Sequence, residues 1–492
     1  WFDGAERICP SCNGKRLKPE ALSVRLYDKS IDEYSGQSVA EAHSFFRKIR
    51  LRGRDAAIAG DIIAELVSRL SFLEQVGLEY LTLDRAAPTL SGGEAQRIRL
   101  AAQLGTNLRG VCYILDEPTI GLHSRDNDRL LQTLCKLKEK GNTVVVVEHD
   151  EDTIRQAEYV LDLGPGGGKN GGKLLAQGGF KDILKCKDSV TGQYFRKPLD
   201  HSGKKRSITE CSFLEIKKAH LHNLKNIDVK FPLERFVCVT GVSGSGKSTL
   251  VRDILYNNLK RVLTEKTSDS KFFGCRTING WNRISRILEV DQSPIGKTPR
   301  SCPATYVGFM DDIRKLFARS PESMIRGYTA SRFSFNTDEG RCPVCDGQGI
   351  KKIEMSFLPD VSVLCDTCGG NRFTPETLAI HFKDRSISEV LNMSIDEAVT
   401  FFAAHKSIHS ALKLLQETGL GYLSLGQQSP TLSGGEAQRI KLVTELAKTA
   451  TETTRKRIAN SKVLYVLDEP TVGLHMADVE KLIGVLQRLV DA

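Results

Sequence analysis

The sequence predicts an α/β fold in which one plan is used twice. Three observations carry this prediction. The segment PTLSGGEAQRI occurs at residues 88–98 and again, letter for letter, at 430–440. Two apolar, strand-like runs, VCYILDEP and VLYVLDEP, end in paired carboxylates. A further β-rich run leads into the glycine-rich stretch GVSGSGKST, and a helix-like segment follows it.

The internal repeat extends well beyond the eleven identical residues. Residues 73–104 align with 415–446 without a gap, and 9–24 resemble 365–380. In both halves the order is a CxxC pair, a helical stretch, SGGE and DEPT. The second half carries an additional polar stretch, TATETTRKRIANS, which is expected to be a surface loop.

Composition limits the kind of protein this is. The chain has 492 residues, a net charge of +10 and 13 cysteines. It contains no apolar run long enough to span a membrane and no signal-peptide pattern. An odd cysteine count with CxxC pairs favours metal binding in a reducing, cytoplasmic setting over a disulfide framework. The ends, Trp1 and Ala492, are interpreted as those of an internal fragment.

The strongest single motif is FVCVTGVSGSGKSTL at 236–250. It matches GxxxxGK[ST], in which glycines let backbone N–H groups surround phosphates. Lys247 can reach the β- and γ-phosphates, and the Ser248 hydroxyl can ligate Mg²⁺. The predicted nucleotide-binding residues of this P-loop are Gly241, Ser243, Gly244, Ser245, Gly246, Lys247, Ser248 and Thr249.

The two DEPT segments supply carboxylates at strand ends. Asp116 and Asp468 are expected to hold Mg²⁺ directly or through water. Glu117 and Glu469 are expected to orient or activate the attacking water. The alternative is a strand end that caps the next helix.

SGGE predicts the start of a helix. Ser91 and Ser433 can cap the helix, and Glu94 and Glu436 complete a capping box. The glycines let a phosphate approach the free N–H groups closely, so a well-capped helix and a γ-phosphate sensor are the same structure. The predicted sensor residues are Ser91, Gly92, Gly93, Ser433, Gly434 and Gly435.

Two polar residues follow other strand-like runs. VVVVEHD at 144–150 is predicted to be a short buried strand ending in His149, which would contact the γ-phosphate. RILEVDQSP at 286–294 places Gln292 where it could sense Mg²⁺ and the nucleophilic water.

Together these motifs resemble the ATP-binding-cassette ATPases. In that family two cassettes face each other, and each ATP lies between the P-loop of one and the signature of the other. The resemblance implies that the P-loop at 241–249 pairs with signature residues 91–93, with Asp468, Glu469 and Gln292 on its own side.

The second ATP site would use the remaining motifs. Signature residues 433–435, with Asp116, Glu117 and His149, would serve a first-half P-loop that is expected to precede Trp1. The counterpart of His149 in the second cassette is expected after Ala492.

The cysteine pairs point to zinc. CPVC-x₁₉-CDTC provides Cys342, Cys345, Cys365 and Cys368 at a spacing suited to a tetrahedral Zn²⁺ site, with redox activity as the alternative. Cys9 and Cys12 match the second pair of this module, and their partner pair is expected upstream. Scattered cysteines in VCYIL and FVCVTG are expected to be small core residues.

The complete motif set closely resembles the UvrA family, the damage-recognition ATPases of bacterial nucleotide excision repair. The segments that carry this resemblance include DQSPIGKTPRSCPATY, RGYTASRFSFN and RCPVCDGQG, and it covers essentially all 492 residues. It implies an ATPase that is part of an excinuclease without being the nuclease. It implies ATP, Mg²⁺ and Zn²⁺ as cofactors, a homodimer, binding to damaged double-stranded DNA, and loading of UvrB, whose docking region would precede Trp1.

The resemblance also gives a domain division. We expect residues 1–86 to hold the end of a zinc module and a helical insertion, 87–195 the C-terminal part of the first cassette, and 196–211 a linker or ordered surface loop. Residues 212–300 would form the first part of the second cassette, 301–428 an inserted DNA-binding, zinc and helical region, and 429–492 the second signature and DEPT region.

Basic and aromatic residues alternate at 297–335, a composition typical of phosphate-contacting surfaces. Recognition of varied lesions would then rest on how easily the duplex bends or unwinds. The favoured DNA-contacting residues are Arg314, Lys315, Arg326 and Arg332. The alternative is an exposed charged face above core aromatic residues.

Three other functions remain open at this point. A UvrA-like paralogue, concerned with drug tolerance, would keep the cassettes and the zinc module. A soluble transporter motor would require a membrane partner and gives no reason for a Cys₄ module. The third possibility is that the fragment by itself is a DNA-binding protein that is stabilised by zinc and has no catalytic activity.

Overall fold

A computed structural model describes residues 9–90, 92–104, 109–122, 124–197, 206–208, 211–242, 244–265, 271–296, 298–353, 361–450 and 462–491. The chain divides into two compact units, Trp1–Gln156 with Gly241–Ser245, and Ala157–Thr240 with Gly246–Ala492. Ser91, Ser243, most of the predicted linker 196–211 and the polar stretch 451–461 lie outside the described residues. The predicted domain boundaries therefore stay predictions.

The first unit contains a helical region and a small parallel sheet. Its helices are Pro19–Ser23, Ile31–Ser35, Val39–Lys48, Gly53–Gln75, Ala87–Thr89, Gly92–Leu104, Ser124–Glu139 and Glu151–Gln156. Strands Cys112–Asp116 and Thr143–Val147 pair in parallel, with Asp116 opposite Val147. Buried residues such as Leu78, Leu100 and Leu130 form its core.

The strand before His149 is present but is not buried as predicted. Val144 and Val146 pack against the core, whereas Val145 is 46% and Val147 51% exposed. Side chains alternate between the faces of a strand. In the described part of the chain only one face of this sheet is covered, so every second valine stays exposed.

The second unit is larger. Its helices are Gly168–Asn170, Phe180–Lys185, Val190–Arg196, Thr249–Tyr256, Asn257–Glu265, Trp281–Arg283, Pro303–Val307, Met310–Ala318, Pro321–Ile325, Ala330–Phe333, Pro375–Leu378, Ile387–Asn392, Ile395–Phe401, Lys406–Leu415, Gln416–Leu420, Ser429–Thr431, Gly434–Ala450 and Met476–Asp491. Its strands are Val160–Gly164, Lys173–Gly178, Phe213–Ala219, Ile227–Pro232, Thr277–Asn279, Arg286–Val290, Ile350–Ile353, Val361–Leu364, His381–Phe382, Arg385–Ser386 and Val463–Leu467.

Three features of this unit position the candidate sites. Phe213–Ala219 is the central strand of a three-stranded antiparallel sheet. Arg286–Val290 and Val463–Leu467 pair in parallel, which brings the strand before Gln292 beside the strand before Asp468. A helical core that includes Ile313, Phe317 and Leu412 supports the inserted region.

The apolar run before the P-loop is not a strand, contrary to the prediction. Residues 236–240 have no strand conformation, and Phe236 is 54% exposed. In the first half, the DEPT strand pairs with the strand before His149. In the described part of the chain, no strand pairs with residues 236–240.

The cysteine predictions outside the CxxC pairs are partly wrong. Cys112 and Cys238, expected in the core, are exposed, while Cys275 and Cys302 are buried. Cys112 lies on the strand Cys112–Asp116, and Cys238 lies in the stretch 236–240 that forms no strand. No helix in the described part of the chain is long and apolar enough to cross a membrane.

The repeat seen in the sequence is also a repeat of hydrogen bonds. The backbone N–H of Ser38 donates to Glu41 at 2.9 Å, and that of Ser394 to Glu397 at 2.8 Å, which caps equivalent helices. The next residue in each half, Val39 or Ile395, donates to the carbonyl of Leu81 or Leu423 at 2.9 Å. The two helical regions therefore share one local design.

Candidate nucleotide and zinc sites

The P-loop combines a tight turn with a helix start. The N–H of Ser245 donates to the Val242 carbonyl at 3.1 Å, and the helix begins at Lys247. Gly244 and Gly246 have φ of +74° and +99°, which side chains with a Cβ rarely adopt. A glycine-rich turn followed directly by a helix start is the arrangement that binds phosphate groups in P-loops.

The P-loop segment Gly241–Ser245 and the first signature helix, Gly92–Leu104, lie in the same compact unit. A Cβ added to Gly244 would lie 3.1 Å from the Tyr80 ring. The Tyr80 hydroxyl donates to Glu94 in the signature helix at 2.6 Å. One tyrosine thus touches the phosphate loop and holds the signature glutamate.

The second signature helix, Gly434–Ala450, repeats this arrangement. Tyr422 donates to Glu436 at 2.5 Å, and burial, helped by this bond, raises the pKa of Tyr422. The tyrosine therefore stays protonated and remains a donor. Glu436 also accepts from the Ser433 backbone N–H at 2.7 Å, so the predicted capping box is confirmed.

Each signature helix is tied to the DEPT strand of its own half. The Gln96 amide donates to the Asp116 carbonyl at 2.7 Å, and the Gln438 amide to the Asp468 carbonyl at 2.9 Å. A Cβ at Gly93 would clash with the Ile120 carbonyl. Sequence reasoning missed these glutamines, although both lie within the repeated eleven residues.

The carboxylates after the two strands sit on an unusual backbone. Glu117 has φ of +45° and Glu469 has φ of +42°, a left-handed conformation that is costly for glutamate. The same strain at both equivalent positions is typical of functional sites. The Glu117 N–H donates to the Val147 carbonyl at 2.8 Å, which fixes the turn against the neighbouring strand.

His149 and Glu117 lie together, as the resemblance implies. Nε2 of His149 is 3.7 Å from Oε1 of Glu117. Burial raises the pKa of Glu117 above its ordinary value, although His149 acts in the opposite direction. The sequence analysis did not identify Glu148 as a residue of this site. Its carboxylate accepts from the Thr119 N–H at 2.9 Å and thereby joins the DEPT turn to the loop that carries His149.

The shifted pKa of Glu117 predicts a pH dependence. Glu117 takes up its proton at a higher pH than an ordinary glutamate, and the protonated form cannot accept a proton from water. With Glu117 as the water-activating base expected from the sequence, ATP turnover at its site should fall, on acidification, with a midpoint above the ordinary glutamate pKa. The measurement is kcat against pH in the complete protein, with the other site silenced by Lys247→Ala. An acidic limb at the ordinary glutamate pKa would contradict the prediction.

Gln292 lies at the second DEPT turn. Its amide donates to the Glu469 carbonyl at 3.3 Å, and a Cβ at Gly434 would lie 3.1 Å from the Gln292 Cβ. Burial raises the pKa of the preceding Asp291, but its bonds to Lys441 and Ser293 outweigh this and lower it. Gln292, the second signature and the second DEPT segment are therefore brought together.

The four cysteines predicted to bind zinc converge. The sulfur atoms of Cys342, Cys345, Cys365 and Cys368 all lie within 4.8 Å of one another and are buried. The Cys342–Cys365 and Cys345–Cys368 sulfur pairs are 4.0 Å and 3.7 Å apart. Tetrahedral Zn–S bonds of ~2.3 Å require about 3.8 Å between sulfurs, whereas a disulfide would require about 2.05 Å. The geometry fits a Zn²⁺ ion.

Backbone N–H groups favour the thiolate at Cys365, whereas burial raises the pKa of Cys345 and Cys368. The N–H groups of Cys368 and Thr367 lower the pKa of Cys365 to about 7. The Gly349 N–H donates to the Cys345 sulfur at 3.2 Å. Cys9 and Cys12 lie in a similar knuckle turn at the surface, where the Asn13 N–H donates to the Cys9 carbonyl at 2.8 Å.

The four favoured DNA-contacting residues have intramolecular partners. Arg314 pairs with Asp311, Lys315 with Asp312 at 3.3 Å, and Arg326 with Glu322 at 2.5 Å. Arg332 bonds to the Thr377 hydroxyl at 3.0 Å and stacks on Tyr328 at 4.7 Å. The structure does not gather these four cations into one unpaired patch.

The aromatic residues of the same stretch divide by burial. Phe333 and Phe335 are buried in the helical core, whereas Tyr306 is 37% exposed. The two phenylalanines therefore fit the alternative interpretation of this stretch, in which its aromatic residues belong to the core beneath an exposed charged face.

The chain is similar to curated proteins over almost its whole length. It is 52% identical over 490 residues to the UvrABC system protein A of Thermus thermophilus, covering 99% of this chain and 50% of that protein. The proteins of the same name from Clostridium tetani and Bacillus subtilis are each 50% identical, over 489 and 494 residues, and cover 99% of this chain. The chain spans about half the length of these relatives.

The chain is also similar to a solved structure over almost its whole length. The chain matches the crystal structure of UvrA2 from Deinococcus radiodurans with a TM-score of 0.87 and 45% identity, covering 98% of this chain and 58% of that one. No family model matches.

Proposed function

Because the chain belongs to the UvrABC system protein A family, we propose that it carries much of the ATPase machinery of a DNA-damage-recognition protein of nucleotide excision repair. The complete protein would contain two tandem cassettes, hydrolyse ATP, act as a homodimer, bind distorted duplex DNA and load UvrB. It would not be the nuclease.

One observation carries the ATPase part of this proposal. Within one compact unit, Gly244 of the P-loop lies against Tyr80, which holds Glu94 of the first signature helix. A nucleotide bound by the P-loop would therefore meet the first signature, as the cassette family pairs these motifs.

The remaining roles follow from this pairing. Lys247 and Ser248 would bind the phosphates and Mg²⁺, Asp468 would hold the metal, and Glu469 and Gln292 would position the water. Residues 433–435, with Asp116, Glu117 and His149, would act at the other nucleotide. Zinc held by the four buried cysteines would supply structural support.

DNA binding is proposed for the basic stretch despite its ion pairs. Exposed ion pairs contribute little free energy, so a DNA phosphate could replace Asp311, Asp312 or Glu322 as a partner. Lys315 is 60% exposed and Arg326 39% exposed, which leaves both accessible. Contacts of this kind report the path of the backbone rather than base identity, as a sensor of varied lesions requires.

A double-mutant cycle tests the pairing of P-loop and signature. Gly93→Asp introduces a like charge beside the γ-phosphate, and Lys247→Ala removes the phosphate ligand. Because a Cβ at Gly93 also clashes with the Ile120 carbonyl, Gly93→Ala, which has the clash without the charge, is measured beside it. If both act at one site, the losses in ATP turnover should be strongly non-additive in the complete protein. Gly435→Asp is the matched control, because its effect should add to that of Lys247→Ala. Additive losses for Gly93→Asp, or coupling with Gly435→Asp instead, would contradict the pairing.

A repair-independent paralogue is the second candidate, since the matched crystal structure is of a protein named UvrA2. The identity to that protein is 45%, against 50–52% to the curated proteins named UvrABC system protein A. These values favour the repair role. An assembly assay with UvrB on damaged DNA separates the two candidates. The repair role predicts that the complex forms, and the paralogue predicts that it does not.

A further inference from the structure

Arg372 occupies an unusual position beside the four-cysteine site. It follows Cys368 by four residues, is only 8% exposed, and has φ of +69°. A buried guanidinium on a left-handed backbone is costly on two counts. Such a residue persists where the surrounding structure requires it.

Its backbone is bonded to one of the cysteines. The Arg372 carbonyl accepts from the Cys342 N–H at 2.8 Å. Burial raises the pKa of the Cys368 thiol, and the nearby Arg372 N–H acts in the opposite direction. A change at the cysteine site therefore acts directly on the Arg372 backbone.

Its side chain reaches in a different direction. Nη2 of Arg372 donates to the Gly426 carbonyl at 2.7 Å, and the guanidinium stacks on Phe335 at 5.4 Å. Nη1 is buried without a hydrogen-bond partner among the described residues. Burial lowers the pKa of Arg372, while the nearby Cys302, Cys345 and Cys368 act in the opposite direction.

Gly426 begins the short segment 426–432 that leads into the second signature at Ser433, and we call this segment the lead-in. The lead-in is held on the zinc side by a second bond, from the Gln428 amide to the Gln348 carbonyl at 3.1 Å. On the other side, Ser429 accepts from the Gly296 N–H at 3.0 Å. Among the described residues, the lead-in thus directly connects the cysteine module, the signature and the segment after Gln292.

The same contact occurs in the first half. Arg16 is the counterpart of Arg372 in the repeat, and Asp84 is the counterpart of Gly426. Nη2 of Arg16 donates to the Asp84 carbonyl at 2.9 Å, and Arg16 also has a left-handed backbone, with φ of +64°. The side chains around the two arginines differ, but the bond and the backbone conformation recur.

We propose that Arg372 is a positioning residue that couples the metal-bound state of the four-cysteine site to the position of the second signature. The proposal rests on the proposed function, in which that signature contacts a nucleotide. When zinc is bound, the knuckle fixes the Arg372 backbone and the guanidinium holds the lead-in. When zinc is lost, the lead-in loses this anchor.

Hydrogen–deuterium exchange of the lead-in peptide in the full-length protein tests the coupling. In the wild type, removing zinc with a chelator should accelerate exchange at 426–432 by roughly tenfold or more, as expected for loss of a charged hydrogen bond. In Arg372→Met, zinc content should stay as in the wild type, while the lead-in exchanges rapidly with zinc bound. Arg372→Lys should restore part of the protection.

The control is Arg385→Met, which removes an exposed arginine paired with Glu389 and should leave exchange at the lead-in unchanged. Two results would overturn the proposal. One is an unchanged lead-in after verified zinc removal from the wild type, whatever the variants do. The other is loss of zinc from Arg372→Met, which would make Arg372 part of the metal site's support alone. Exchange is independent of turnover and DNA binding, so a failed repair assignment would not mimic either result.

Discussion

Lys247→Ala in the complete protein should abolish ATP binding at the site built on the P-loop. Lys247 lies at the helix start, directly after the tight turn of the P-loop, and the N-termini of helices favour anions. The positive charge of Lys247 contributes to phosphate binding in a way that neighbouring backbone N–H groups cannot replace. Loss of one such preorganised group typically lowers turnover by ~10²–10³-fold. Binding of a fluorescent ATP analogue should fall from two sites per chain to one.

The matched control is Lys271→Ala, which removes an exposed lysine in the same unit. Its nucleotide stoichiometry should equal that of the wild type. Full occupancy of both sites in Lys247→Ala would refute the assignment of the P-loop.

Cys365→Ser should release the zinc of the second module and unfold residues around 341–373. The buried cluster of this module consists of the four cysteines themselves. Its two strands expose apolar side chains, including Ile353, Val361 and Leu364. With so little apolar burial, folding depends on the metal, whose binding contributes ~10–16 kcal/mol in isolated zinc-finger peptides.

Zinc content by metal analysis should drop by one ion per chain, and limited proteolysis should cut within the module. Cys135→Ser, which changes an exposed cysteine outside the module, should alter neither. If Cys365→Ser retained the full zinc content, the four-cysteine assignment would be wrong.

Several parts of the candidate sites could be predicted because their chemistry lies in contiguous motifs. The capping box at Ser433 and Glu436, and the convergence of the four cysteines, follow from spacing alone. Both depend on short stretches of backbone whose conformation the glycines and cysteines strongly restrict.

Other parts depend on partners distant in sequence. Tyr80 contacts the P-loop, although no local pattern connects the two. The Arg372 bond to Gly426 joins residues 54 positions apart. The strand predicted at 236–240 failed for a related reason, since an apolar run becomes a strand only when another strand pairs with it.

The basic stretch shows the limit of composition as a guide. Its charge and aromatic content suggested a phosphate-binding surface, but Arg314, Lys315 and Arg326 each pair with a carboxylate three or four residues away. Helical spacing places such pairs together whether or not a ligand binds. A direct measurement on DNA is therefore needed.

That measurement is a titration of the complete protein, with ATP, against a labelled duplex carrying a bulky adduct and the same duplex without it, at two salt concentrations. A damage sensor that contacts DNA phosphates should bind the adducted duplex more tightly than the unmodified one. Its affinity should fall steeply as the salt concentration rises. Arg326→Ala should reduce the salt dependence, while Arg385→Ala serves as the surface control. Equal or negligible binding to both duplexes would contradict the central claim that this chain belongs to a DNA-damage-recognition ATPase.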